Sequence, residues 1–338
     1  MVDVGAARRR RAEGRRDAVN EVSSTGPRKP VVIVTGADLA PQALALLGGY
    51  EVVYAGKAPS EDDIVGLCRR YDPQAIIVRY GKFGRAAMEA APSLRVISKH
   101  GSGIDTIDQA AARERGVEVR AATGANAAAV AEHAAALMLA CAKSIPQLDL
   151  RMHAGHWDKA THKSLELSGR TVGLVGLGVI GQGFAKIAQA FGMRVISFDP
   201  YARTVPPFVE PCDLESLWRE SDVISLHCPL TDDNRQLLNA QTLARCKRGV
   251  IVVNTARGGL IDEPALLEAV RSGQVRAAGL DSFAVEPMTA GHIFHGQPGF
   301  ILSPHIGGVT SDAYVNMGVA AVRNARSVIE QVAPDQVA

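Results

Sequence analysis

Two doubly wound parallel-sheet α/β domains are the fold class this sequence predicts, on three observations. Short, nearly continuous apolar runs rich in Val and Ile alternate with helix-compatible stretches, the pattern of a parallel sheet covered on both faces. These runs fall into two sets, separated by an Ala-rich stretch at 126–144 that contains neither Gly nor Pro. At 338 residues the chain is long for one hydrophobic core and sufficient for two.

The first set is VVIVTGA (31–37), EVVYAG (51–56), QAIIVRYG (74–81), RVISKHGSG (95–103) and VEVRAA (117–122). Each is a strand bounded by turn residues or by a helical spacer. The stretch 126–144 then predicts a helix of about five turns. The second set is TVGLVGLG (171–178), RVISFDP (194–200), DVISLHCPL (222–230), GVIVVNTAR (249–257), VRAAGLDSF (275–283) and FILSPHIGG (300–308). A last helix is expected over 311–330, with no further domain after it.

Charged residues at 21% and hydrophobic ones at 47% describe an ordinary globular chain. The formal charge is +2, yet Arg8, Arg9, Arg10, Arg11, Arg15 and Arg16 crowd the start. The remainder carries no basic surface that would attract nucleic acid. Residues 1–29 have too little apolar content to offset their ordering entropy and are expected to form a disordered basic tail; a transit peptide or a nucleic-acid-binding arm is the alternative. The same residues contain no apolar run suited to a signal peptide or membrane span. Five scattered cysteines without a CxxC suit a reducing cytoplasm. HAGH (153–156) and HIFH (292–295) have helical HxxH spacing, but no Cys or carboxylate joins them, so no metal is expected.

Within the second set, Gly176, Gly178 and Gly181 form GxGxxG, with Val179 and Ile180 between the last two. The motif alone is weak, but here it follows an apolar strand at 172–175 and opens a helix-compatible run at 182–191. The first glycine permits the turn, the second lets backbone approach a pyrophosphate, and the third lets helix and strand pack closely. Asp199 lies 18 residues after Gly181 at the next strand end. A carboxylate there accepts from ribose hydroxyls and repels a 2′-phosphate, which favours NAD over NADP. Arg203 nearby would soften that preference, and a glycine turn that binds nothing is the competing explanation.

Chemistry in such sheets lies at strand carboxyl ends. His100, His227 and His305 meet that condition, and Gly307 and Gly308 let the backbone near His305 approach a ligand. Arg257 ends its strand and is followed by Gly258 and Gly259; Glu286 follows the next strand and precedes Pro287. Arginine can fork onto a carboxylate, histidine can exchange a proton near neutral pH, and glutamate can orient the histidine and balance its charge. Taken singly, an arginine or glutamate at a strand end is as readily explained by a structural ion pair.

Together SKHGSGIDTID (98–108), GLVGLGVIGQGFAK (173–186), HCPLTDDNRQLLN (227–239), VVNTARGGLIDEPAL (252–266), GLDSFAVEP (279–287) and SPHIGG (303–308) resemble the D-isomer-specific 2-hydroxyacid dehydrogenases, over about 31–330. The resemblance implies that Arg257, Glu286 and His305 are catalytic. It implies a Rossmann NAD-binding domain (123–307) inserted into a flavodoxin-like substrate domain (30–122 and 308–332), with hinges near Thr123 and Gly307. It also places His227, Cys228, Pro229, Thr255, Ala256 and Asp281 along the NAD cleft, with Asp281 near the nicotinamide amide. Ser102 and Gly103 would offer amides to the substrate carboxylate, and Asn126 matches a recurrent asparagine that could instead be an N-cap. A homodimer formed through the cofactor domain and the segment after the linking helix is the implied assembly.

The implied partner is a small 2-hydroxy or 2-oxo acid. Arg79 resembles an arginine that phosphoglycerate-oxidising relatives use near substrate, although YGKFG departs from their pattern, and Lys99 adds charge nearby. The candidates are therefore 3-phosphoglycerate and glyoxylate or hydroxypyruvate. Glu286 argues against the formate-oxidising branch, which carries glutamine there. No C-terminal regulatory domain like that of many phosphoglycerate dehydrogenases is recognised, so serine feedback through one is not expected. The alternative from another class is an NAD-sensing corepressor-like binding protein without significant turnover.

Overall fold

The computed structural model describes residues 29–337. Almost the whole basic segment at 1–29 lies outside them. The first unit runs β1 (Val31–Val34), α1 (Pro41–Ala45), β2 (Glu51–Tyr54), α2 (Glu61–Tyr71), β3 (Ala75–Val78), α3 (Arg85–Glu89), β4 (Val96–Lys99), α4 (Gln109–Glu114) and β5 (Glu118–Ala121). Its five strands are parallel in the order β2-β1-β3-β4-β5, the flavodoxin-like arrangement. β1 and β3 are buried at every position, which explains why the central strands read as continuous apolar runs and the edge strands do not.

Helices α5 (Ala127–Lys143) and α6 (Ile145–His153) lead into the second unit. There the order is β6 (Thr171–Val175), α7 (Val179–Ala190), β7 (Arg194–Phe198), β8 (Val209–Pro211), α8 (Leu214–Glu220), β9 (Val223–Leu226), α9 (Ala240–Arg245), β10 (Val250–Asn254), α10 (Glu263–Arg271), β11 (Val275–Leu280) and β12 (Phe300–Leu302). Seven parallel strands follow the order β12-β11-β10-β9-β6-β7-β8. The strand order therefore reverses between β6 and β9, which pair Val172 with Val223. A crevice at such a reversal, outside the strand carboxyl ends, is where ligands bind in open α/β sheets.

Two helices join the units. The small side chains of Ala131, Ala134 and Ala135 on α5 are buried. Gly279 of β11 lets the helix lie close: a Cβ there would come 2.8 Å from Leu137 Cβ. The last helix, α11 (Ser311–Glu330), returns from the second unit to the first, burying Ala321, Val322 and Ala325 in one core with Val32, Val34 and Ile77. Thr310 caps it, its side chain accepting from the Ala313 amide at 3.0 Å. Among the described residues no single helix is long and apolar enough to cross a membrane, and all five cysteines are free thiols.

Strand β8 was not anticipated. It is three residues long, follows Pro206 and Pro207, and ends in Pro211. Such a proline-bordered strand is tolerated because it is the sheet edge.

Candidate active site

A cleft of about 680 Å³ lies where loops from the two units meet. Arg79, Ser102 and Gly103 line it from the first unit; Ile180, Thr255, Arg257, Asp281, Glu286 and His305 line it from the second. Residues separated by more than two hundred positions thus share one wall because every contributing loop follows the carboxyl end of a parallel strand.

His305 Nδ1 donates to Glu286 Oε2 at 2.6 Å, while Glu286 Oε1 accepts from the Phe283 amide at 2.9 Å. The glutamate is thus held by backbone and in turn holds the ring, and among the described residues Nε2 has no hydrogen-bond partner. His305 itself has φ 54°, left-handed and unusual for a residue other than glycine. Asp281, 2% exposed, secures that turn. Its Oδ1 accepts from the Ile306 amide at 2.9 Å and from Ser303 Oγ at 2.6 Å, and its Oδ2 accepts from the Gly307 amide at 2.8 Å. His133 of α5 completes the network, its Nε2 2.8 Å from Ser303 Oγ. Asp281 borders the cleft, and its carboxylate is committed to the turn that carries His305.

Arg257 follows β10, where buried Asn254 shapes the loop by donating to the Arg257 carbonyl at 2.9 Å and accepting from the Ala256 amide at 3.0 Å. The Arg257 guanidinium donates through Nη1 to the Ala256 carbonyl at 2.7 Å. Through Nε and Nη2 it reaches Asp105 Oδ2 of the first unit, at 3.1 and 2.9 Å. Gly103 leaves room for this approach, since a Cβ there would come 2.0 Å from Arg257 Nη2. Among the described residues the amides of Ser102 and Gly103 have no hydrogen-bond partner.

The glycine loop is sterically dictated. A Cβ on Gly176, at φ 99°, would meet the His227 carbonyl carbon at 2.7 Å, and one on Gly181 would meet the Gly176 carbonyl oxygen at 2.3 Å. A Cβ on Gly178 would meet nothing within 4 Å. Gly178 is the N-cap of α7 and no side chain caps that helix, so its first amides face open space as an anion site requires. Asp199 accepts from the Leu177 amide at 2.7 Å and from the Tyr201 amide at 2.8 Å, one bond per oxygen. Each carboxylate oxygen keeps a second lone pair for a ribose hydroxyl. Thr255 Oγ1 is buried in the cleft without a partner, a hydroxyl awaiting a ligand. These features fit a dinucleotide.

His227 follows the carboxyl end of β9, but its ring turns away from the crevice. Its Nε2 pairs with Ser225 Oγ at 2.9 Å, the ring packs 5.2 Å from that of Phe184, and burial lowers its pKa to about 4. Any role it has toward a ligand is through backbone. Cys228 is half-buried and burial raises its thiol to about 11, so it stays protonated; Pro229 beside it is exposed. Asn126 stands at the N-cap of α5 but makes no capping bond, its Oδ1 accepting from Ser102 Oγ at 3.3 Å. Among the described residues no cluster of three or more metal-ligating side chains occurs.

A dinucleotide loop at the switch point, facing a histidine–carboxylate pair and a forked arginine, defines a two-domain nicotinamide-linked oxidoreductase. The family model for the NAD binding domain of D-isomer specific 2-hydroxyacid dehydrogenases matches residues 135–307. A hydroxypyruvate reductase from Thermotoga maritima is 46% identical over 280 residues, covering 82% of this chain and 91% of that one. A D-3-phosphoglycerate dehydrogenase from Mycobacterium tuberculosis is 38% identical over 313 residues, 91% of this chain, which spans 58% of that relative. The structure of a glyoxylate reductase from Paecilomyes thermophila superposes with a TM-score of 0.81 at 30% identity, covering 90% of this chain and 96% of that one. The protein belongs to the D-isomer specific 2-hydroxyacid dehydrogenase family. It is an NAD-linked oxidoreductase acting between 2-hydroxy and 2-oxo acids. The corepressor-like alternative finds no support among these relatives.

Proposed function

We propose that the cleft reduces a small 2-oxo acid, and oxidises the matching D-2-hydroxy acid, with Arg257, Glu286 and His305 as its catalytic residues. The observation that carries this reading is the His305–Glu286 pair, 2.6 Å apart, on a cleft shared with Arg257. Arg257 and the amides of Ser102 and Gly103 hold the substrate carboxylate, which presents the C2 oxygen to His305 Nε2. His305 gives its proton to that oxygen on reduction and takes it back on oxidation; Glu286 orients the ring and balances its charge. NAD, when bound, accepts or supplies the hydride at C2. Gly176, Gly178 and Gly181, with Val179 and Ile180, would seat its pyrophosphate, and Asp199 its adenosine ribose. Thr255, Ala256, Cys228, Pro229 and the His227 backbone would line its path.

The substrate class is glyoxylate, hydroxypyruvate or 3-phosphohydroxypyruvate, the oxidised forms of the candidate hydroxy acids. The test is NADH absorbance on mixing enzyme with these acids, pyruvate and bulkier 2-oxo acids. Oxidation at enzymatic rates is expected with one of the small acids; NADH binding without oxidation of any would remove the reading. Asp199→Ser is expected to shift the NADH-to-NADPH ratio of kcat/KM toward NADPH by about tenfold or more, since it deletes the repulsion of a 2′-phosphate. An unchanged ratio would assign ribose reading elsewhere.

The working organisation is a substrate domain of 30–122 and 308–332, an NAD domain of 123–307, and a homodimer in the cytoplasm, where five free thiols remain reduced. The dimer reading is supported by Ile145, Leu150, Met152 and Trp157 on and just after α6, with Leu150 and Trp157 70% and 75% exposed. So much apolar surface on one short segment suits a protein partner. Leu150→Asp combined with Trp157→Ser should halve the mass measured by light scattering; a wild-type monomer would contradict the assembly.

A further inference from the structure

Arg79 lines the cleft but does not present a free positive charge to it. Its Nη1 donates both to the Asp38 carboxylate and, at 2.5 Å, to the Asp38 carbonyl. The guanidinium lies over the rings of Tyr80 and Tyr314, 5.2 and 5.0 Å from their centroids. Tyr314, from α11, donates to the same Asp38 carboxylate at 2.9 Å. Gly36, two residues before Asp38, makes room for this folded-back conformation, since a Cβ there would come 2.9 Å from Arg79 Cδ. The Arg79 side chain is only 10% exposed whereas that of Asp38 is 67% exposed. Asp38 does not itself line the cleft; it acts on an approaching group through the charge of Arg79, which it pairs. Lys99 is the neighbouring cation: its Nζ donates to the Arg79 carbonyl at 3.1 Å, and burial, with Arg257 nearby, lowers its pKa.

We propose that Asp38 is a specificity-determining residue: by pairing with Arg79 it offsets that arginine's charge at the distal end of the substrate cleft, so the enzyme favours 2-oxo acids with an uncharged end and discriminates against a phosphorylated one. This rests on the reading of the cleft as a 2-oxo acid site. The physical reason is charge. A phosphate monoester carries about −1.5 to −2 at neutral pH and would have to settle against an arginine whose charge the Asp38 carboxylate already offsets, with that carboxylate's own repulsion added. A terminal hydroxyl, or the bare hydrogen of glyoxylate, meets no such repulsion, and Arg79 Nε and Nη2 remain as donors for a hydroxyl.

The experiment compares kcat/KM for hydroxypyruvate and 3-phosphohydroxypyruvate, by NADH oxidation, in the wild type, Asp38→Asn, Asp38→Ser and the double variant Asp38→Asn/Arg79→Gln. The wild type is expected to prefer hydroxypyruvate. Either Asp38 substitution should raise the relative use of the phosphorylated acid by about tenfold or more, the scale of one removed repulsive charge. The change should lie in the KM of the phosphorylated acid, and adding Arg79→Gln should abolish it. Using a ratio separates specificity from general loss of folded enzyme, which lowers both substrates together. A wild type preferring the phosphorylated acid, or an unchanged ratio in both single variants, overturns the proposal while the catalytic reading stands. Absence of NADH oxidation with hydroxypyruvate, glyoxylate and 3-phosphohydroxypyruvate alike overturns both.

Discussion

His305→Asn is expected to lower kcat by about 10²- to 10⁴-fold, the range a positioned acid–base group contributes, while NADH still binds. Asparagine is the informative replacement because residue 305 sits at φ 54°, a region Asn adopts more readily than most residues. The turn should survive the change, since Asp281 holds it through the amides of Ile306 and Gly307 and through Ser303, with no part of the imidazole involved. The loss then reports the missing proton carrier and not a collapsed loop. The glycine loop follows β6, four strands away in the sheet from β12, whose end carries His305, so NADH fluorescence should titrate as in the wild type. A variant within a few-fold of wild-type kcat would mean that some other group moves the proton to the C2 oxygen.

The candidate residues legible in the sequence share one property: their placement follows from backbone position. Apolar runs gave the central strands because β1, β3, β6, β9 and β10 are buried on both faces. Gly176 and Gly181 could be assigned because a strand-turn-helix leaves no room for Cβ, and Arg257, Glu286 and His305 because each follows a strand end. What was missed depends on where a side chain turns or on a partner far along the chain. Asp105 meets Arg257 across 152 positions, His133 meets Ser303 across 170, and Asp38 meets Arg79 across 41. None of these carboxylates or histidines sits in a local pattern that distinguishes it from a solvated residue. His227 shows the same limit in reverse, since its strand-end position is right but its ring points beneath the loop toward Phe184. Arg79 was legible as a cleft residue, yet its charge state as a pair with Asp38 was not.

Arg257→Gln is expected to reduce kcat/KM for the 2-oxo acid by roughly 10²- to 10³-fold, the equivalent of about 3–4 kcal/mol for losing one partner of a hydrogen-bonded charge pair. Arg257→Lys should recover little of it. The distinction lies in geometry: Nε and Nη2 of Arg257 already converge on a single oxygen of Asp105, at 3.1 and 2.9 Å, so the guanidinium edge is oriented to receive a carboxylate. A lysine ammonium supplies the charge without that fork. On the proposed reading the substrate carboxylate takes over these donors from Asp105, and the amides of Ser102 and Gly103 in the neighbouring loop, unpartnered among the described residues, would give it a hold that the Asp105 side chain does not use. This makes the exchange favourable only for a ligand that engages both sets of donors at once, which is a requirement for a carboxylate next to C2. Steady-state kinetics separates the contributions: a rise in KM measures the lost carboxylate contact, and a fall in kcat measures misplacement of C2 relative to His305. If Arg257→Lys stays within about threefold of wild type in both, a discrimination far below what a lost fork entails, the forked contact is not how the substrate is held.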